Sequence, residues 1–117
     1  MGKRREQLDA FFNGMKELSK VNSEQIKSFK GLLAADLGAG VLDVKAKELM
    51  SVAVACYARC EYCIVYHVYT ALKNGATRQE VIEAAFVAAA FGGGPSMTYI
   101  STALLESLDE FEGDFAK

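Results

Sequence analysis

Apolar residues recur every three to four positions along nearly the whole chain, and no stretch keeps up the apolar-polar alternation of a half-buried strand. The pattern predicts an all-α fold of about six helices. Leu8, Phe11, Phe12, Met15 and Leu18 mark one face of a first helix over about residues 3–20, whose other face is charged. A second helix, capped by Asn22 or Ser23, carries Ile26, Phe29, Leu32 and Leu33 and is expected to end near Gly38 and Gly40. Asp43 can cap a third, which runs from about Val44 into the region of Tyr57 and Cys60. No glycine or proline there shows whether it stops before the cysteines.

The next boundaries are written more plainly. Lys73-Asn74-Gly75 is a C-terminal stop signal, and Thr77-Arg78-Gln79-Glu80 is a capping box for a fifth helix. From Val81 through Ala85 and Phe86 to Phe91 that helix is apolar nearly all round, which a domain this small struggles to enclose. A homo-oligomer is therefore expected, with this helix or the alanine-rich surface beside it meeting a second subunit. Gly92-Gly93-Gly94-Pro95 is expected to stop the helix and restart a last one at Pro95, as a tight interhelical turn. A phosphate cradle is disfavoured because neither a Walker lysine nor a preceding strand is present.

The bulk numbers narrow the class. With 117 residues, 51% hydrophobic, 24% charged and one proline, the chain is expected to fold as one domain over residues 1–117. A net charge of −2 gives no general reason to expect nucleic acid or an anionic membrane as partner. Lys3, Arg4 and Arg5 cluster at one end and Asp109, Glu110, Glu112 and Asp114 at the other; both are expected to be solvated helix ends. Leu49 to Leu72 approaches the length of a membrane span, but Arg59, Glu61 and His67 near its centre argue against one. No secretory signal pattern opens the sequence, so the expected compartment is the cytoplasm.

Three cysteines in a reducing compartment do not make a disulfide scaffold, and an adjacent pair there points to redox or metal chemistry. Cys60-Glu61-Tyr62-Cys63 is a C-x-x-C pair, with His67 four residues after the second cysteine and Glu48 twelve before the first. On a helix Cys60, Cys63 and His67 share a face. Cysteines three apart lie roughly 5 Å apart between Cα atoms, within the range a disulfide needs. Closing so short a loop removes little chain entropy, so such a bridge is better explained by redox turnover than by stability. If the third helix breaks before Cys60, the pair begins a new helix whose N-terminus lowers a thiol pKa. His67, one turn after Cys63, is placed to take its proton. Glu48 either packs beside His67 and fixes its tautomer, or is a solvated position beside Lys45 and Lys47. Cys56 is expected to be a buried small hydrophobe. Tyr66 and Tyr69 are within reach of the site, but aromatic residues on a helix more often belong to the core.

The spacing of Glu48, Cys60, Cys63 and His67 resembles the signature of the alkylhydroperoxidase D-like, carboxymuconolactone decarboxylase-like superfamily at all four positions. The likeness extends through Asn74-Gly75-Ala76-Thr77, the Glu80 to Phe91 helix and Gly92-Gly93-Gly94-Pro95, so it covers roughly residues 20–110. The resemblance implies an all-helical fold, homo-oligomers that are often hexamers, and thiol-dependent reduction of hydroperoxides or of a partner's disulfide, with no cofactor or metal. It assigns Cys63 as the peroxide-reactive thiol, Cys60 as the resolving or partner-facing thiol, and Glu48 with His67 as the proton relay. An external dithiol or redox partner protein would restore the pair. One departure is Tyr62, where the best-known pattern has histidine, which puts in doubt any relay that needs a second imidazole.

Three rivals remain at this level. Cys60, Cys63 and His67, with Cys56 or Glu48, offer zinc-type donors, although three from one helix is less usual than paired knuckles. Lactone decarboxylation, also found in the superfamily, would use His67 or Glu48 as proton donor and needs no cysteine pair. A plain helical scaffold would leave the thiols at ordinary reactivity.

Overall fold

The computed structural model describes residues 2–116, and among them no strand occurs. The helices are α1 (Lys3–Val21), α2 (Ser23–Leu37), α3 (Val44–Ala58), α4 (Glu61–Lys73), α5 (Arg78–Tyr99) and α6 (Leu105–Phe115), with a π-helical turn at Ile100–Leu104 joining the last two.

Most boundaries follow local chemistry. Asp43 accepts the Ala46 N–H at 2.8 Å, and Thr77 and Glu80 cap each other's backbone at 3.1 and 2.9 Å. The expected side-chain cap on α2 is not made: Asn22 joins α1 to α2 only through its backbone, donating to the Leu18 carbonyl and accepting from the Ile26 N–H.

The open boundary before the cysteines resolves as a break. Arg59 takes a left-handed conformation (φ 56°, ψ 43°), its N–H bonds the Cys56 carbonyl, and the Cys60 N–H reaches back to Ala55. Those two bonds form the same reversal that Gly75 (φ 93°) makes at the end of α4 with Leu72 and Ala71. The break also divides the Leu49 to Leu72 stretch that had the length of a membrane span.

The glycine run breaks the helix, as expected. Within the span Arg78–Tyr99, Gly93 leaves helical geometry (φ 60°, ψ −141°) and kinks the chain, and helical structure resumes directly after it with Pro95 in its first turn. Gly92 is needed for close approach, since a Cβ there would collide with the Ser96 side chain. By length and composition the run Arg78–Phe115 could cross a membrane.

The core is built by α3, α4, α5 and the α5–α6 junction. Val52, Ile64, Val65, Val68, Val81, Leu104, Leu108 and Phe111 are fully buried, and Leu8 is the contribution of α1. α5 turns Val81, Ala85 and Ala88 inward and leaves Phe86, Val87 and Phe91 exposed. α2 buries no residue.

The charged ends are solvated only in part: Lys3, Asp109 and Glu112 are exposed, but the rest of the two clusters is drawn together. Arg4 is buried and bonds Glu61, Gln7 at 2.9 Å and Glu106 at 3.2 Å, while the Arg4 and Arg5 N–H groups both donate to Glu110. Arg5 also pairs with Asp114 at 2.9 Å and lies over the Phe111 ring, and Arg78 pairs with Asp109 at 2.8 Å. The physical reason is opposite charge brought together by topology: the start of α1 packs against α6, so the basic start of the chain meets its acidic end.

Candidate active site

Two helices of the core supply the site. On α3, Glu48 begins the stripe that continues through Val52, Ala55 and Cys56, so the register that buries those apolar residues also carries the carboxylate inward. On α4, Cys63, His67 and Thr70 fall one turn apart on a single face, beside the fully buried Ile64 and Val68.

Glu48 retains only 5% of its exposure, which removes the solvated alternative. Its Oε1 accepts from His67 Nδ1 at 2.8 Å and from Thr70 Oγ1 at 2.5 Å. Burial pushes the Glu48 carboxyl upward, but the His67 and Thr70 hydrogen bonds and the nearby imidazole outweigh it, holding the group below the usual carboxylate range. An ionised Glu48 accepts the Nδ1 proton, which leaves Nε2 as the basic nitrogen of neutral His67. Thr70 was not singled out by sequence reasoning, although its place three residues after His67 on the same helix face was the available signal.

Cys60 is the N-cap of α4, outside the helix proper, so it does not share a helical face with Cys63 as a continuous helix would require. The two are joined in a disulfide with Cα atoms 5.2 Å apart, and the Cys63 N–H points at Cys60 Sγ at 3.3 Å. Either thiol, once reduced, sits at the positive end of a helix. Glu61, inside the motif, would counter that effect, but hydrogen bonds from Arg4 and Gln7 draw its charge and hold its pKa low. Cys56 is different: it is free, fully buried, and burial pushes its thiol up to about 11.

Cys63 and His67 open on a cavity of about 800 Å³ between α4 and the α1–α2 hairpin, and on a second of about 520 Å³ on the other side of Leu33. Phe11 and Phe12 pack edge-on against Tyr66, which in turn packs against the His67 ring at 5.0 Å. Tyr66 therefore lines the site, and burial together with the Glu48 charge raises its phenol pKa. Tyr69 belongs to the core, against Phe111 and Phe115. Tyr62, the departure from the familiar pattern, is half exposed on the cavity wall. Among the described residues no three His, Cys, Asp or Glu side chains converge as metal donors.

Residues 24–106 match the carboxymuconolactone decarboxylase family. The chain belongs to that family. Among curated relatives in sequence, an uncharacterised protein of the cox locus of Paracoccus denitrificans is 35% identical over 97 residues, covering 83% of this chain and 86% of that one. Another, from Cupriavidus necator, is 33% identical over 74% of this chain and 77% of its own length. The family's architecture is shared in three dimensions. A carboxymuconolactone decarboxylase family protein from Legionella pneumophila superposes with a TM-score of 0.89 at 34% identity, covering 94% of this chain and 97% of that one. A family protein from Thermotoga maritima, for which a part in the antioxidative response is suggested, superposes with a TM-score of 0.75 at 28% identity over 95% and 97% of the two chains.

Proposed function

We propose that this family member is a thiol-dependent hydroperoxide reductase of the alkylhydroperoxidase D type, with Cys63 as the attacking thiol. The observation that carries this reading is the Cys60–Cys63 bridge at the start of α4, one turn before a histidine already held by a buried carboxylate. The suggested antioxidative part of the Thermotoga protein accords with it.

In the reduced protein, Nε2 of His67 takes the Cys63 proton, directly or through water. The thiolate attacks the terminal peroxide oxygen, the O–O bond breaks, and the departing alkoxide takes up a proton from His67 to leave as an alcohol. Cys63 is now a sulfenic acid. The Cys60 thiol displaces its hydroxyl as water, forming the disulfide. An external dithiol reduces that bond and is itself oxidised to a disulfide. Glu48 holds the ring in one tautomer and Thr70 holds Glu48. Cys63 lines both cavities, which supports it over Cys60 as the peroxide-reactive thiol. The same dithiol could turn over a partner's disulfide, and the protein partner would then meet the exposed side of Cys60.

The exposed apolar groove formed by Val54, Tyr57, Val87 and Phe91 on α3 and α5 supports a homo-oligomer, a hexamer by family resemblance. Sedimentation as a monomer at micromolar concentration would remove that part of the reading.

The lactone reading has the same Glu48–His67 pair to draw on, and the test separates the two. Reduced wild type and Cys60→Ser are treated with one equivalent of cumene hydroperoxide and examined by mass spectrometry. A Cys60–Cys63 bridge in the wild type and a Cys63 sulfenic acid in the variant are expected. Slow, unselective oxidation of both would overturn the peroxidase assignment, and lactone turnover surviving Cys60→Ser and Cys63→Ser would replace it.

A further inference from the structure

The larger cavity holds more than a small hydroperoxide needs, and its wall has an uneven chemistry. About 800 Å³ is near the upper end of small-molecule sites. Close to Cys63 and His67 the wall is aromatic, with Phe11, Phe12 and Tyr66 in mutual contact. Moving along α1 away from that cluster, the lining continues through Met15 and reaches Lys16 and Lys20, while Phe29 and Lys30 face them from α2. At the rise of an α-helix, Phe12 and Lys20 are separated by about 12 Å. The chain carries a net charge of −2, yet the cavity lining includes three lysines and no carboxylate. Lys20 is drawn to Glu17 at 3.0 Å, whereas Lys16 and Lys30 form no ion pair among the described residues.

We infer that the preferred substrate is a long-chain hydroperoxide with an anionic head, such as a fatty-acid hydroperoxide. Its carboxylate lies on Lys16 and Lys30, its chain runs along Phe12, Met15 and Phe29, and its mid-chain hydroperoxide reaches Cys63. This rests on the redox reading above and uses the same step: the hydroperoxide becomes the corresponding hydroxy acid, the dithiol becomes the disulfide, and one water is released. Apolar lining alone would accept the ester of such a lipid equally well. The unpaired lysines are what distinguish the free acid.

The test compares linoleic acid hydroperoxide, its methyl ester and cumene hydroperoxide as oxidants of the reduced protein at low salt, all below their aggregation concentrations. In parallel, non-peroxidised linoleate is made to compete with a fluorescent fatty acid. A kcat/KM about five- to tenfold higher for the acid than for the ester is expected, shrinking with added salt and abolished in Lys16→Ser/Lys30→Ser. Linoleate should displace the probe in wild type and more weakly in the double variant. If cumene hydroperoxide is reduced but acid and ester are indistinguishable, the headgroup assignment is overturned while the redox reading stands. If linoleate displaces the probe but no hydroperoxide oxidises Cys63, the substrate assignment falls together with the redox reading.

Discussion

The two walls of the candidate-site cavity are built in opposite ways. α4 presents Cys63 and His67 from a helix that also buries Ile64, Val65, Val68, Ala71 and Leu72, so its reactive groups are held by the core. α2 faces the same space and buries nothing; Phe29 and Leu32 are both about half exposed. Reacting groups need a fixed geometry, and a wall that only contacts ligand does not. An element with few buried contacts opens at low free-energy cost, so the α2 side is the one able to adapt to substrates of different length.

A similar truncation made on each of the two helices that carry these walls tests this difference most directly. Ile64→Ala removes fully buried methyl groups and is expected to cost about 2–5 kcal/mol of stability. Leu32→Ala, at a site 56% exposed, is expected to stay within about 0.5 kcal/mol. Urea denaturation of the two variants reads both; equal losses would mean that α2 is packed as firmly as α4 and would break the comparison.

Glu48→Gln sharpens the rigid side. The amide keeps the size of the side chain but replaces the carboxylate that fixes His67 Nδ1, so peroxide reduction should fall on the order of a hundredfold. The pH dependence has a definite sign. The folded pKa of Glu48 lies below its ordinary value, so the group contributes stability that is complete above the ordinary value of about 4.3 and is lost as pH falls through the lower folded value. Thermal melts should show this acid-side loss in wild type and less of it in Glu48→Gln. Identical acid profiles would show that the carboxylate gains nothing from His67 and Thr70.

What the sequence revealed and what it hid divide along a physical line. Asp43, and Thr77 with Glu80, act on backbone within three residues, so their caps could be read directly. The spacing of Cys63 and His67 fixed their shared face because both lie on one helix. The break at Arg59 was hidden because a left-handed helix end usually announces itself with glycine, as Gly75 does, and here an arginine adopts it. Glu48 could not be told from a solvated residue until α3 was packed on α4. The pairing of Arg4 with Glu61 and Glu106 joins residues 57 and 102 positions apart, which no local pattern contains. The lining of the cavity is equally non-local, since Phe11, Phe29 and Tyr66 come from three different helices.

Arg4 is where the two walls are tied together. It fixes the start of the hairpin to Glu61, the residue after the first reactive cysteine, and to Glu106 on α6. Arg4→Met retains much of the apolar stem and loses the guanidinium bonds, at an expected cost of about 1–3 kcal/mol by urea denaturation. With Glu61 left to Gln7 and Lys3, more of its charge acts on the neighbouring thiols, so the reduced pair should be less acidic when titrated by thiolate ultraviolet absorbance. Arg4→Met/Glu61→Gln should recover the thiol titration without recovering the stability. A single variant with unchanged titration would confine Arg4 to a purely structural role.

The smallest expected effect concerns Cys56, which asks whether motion of the hairpin exposes the core. Cys56 lies on α3, fully buried, and with its pKa pushed up to about 11 it is almost entirely a thiol near neutral pH. Cys60 and Cys63 lie at a helix start, both only partly buried, with Cys63 on the cavity wall. Iodoacetamide should therefore alkylate those two in the reduced native protein and leave Cys56 unmodified until denaturant is added, and Cys56→Ala should reduce peroxide at the wild-type rate. Because α2 buries nothing, its opening leaves α3 and α4 in contact and gives the reagent no path to Cys56. Labelling of Cys56 at the rate of the other two would mean that the hairpin and the core open together, and the division between an adaptable wall and a fixed one would then fail.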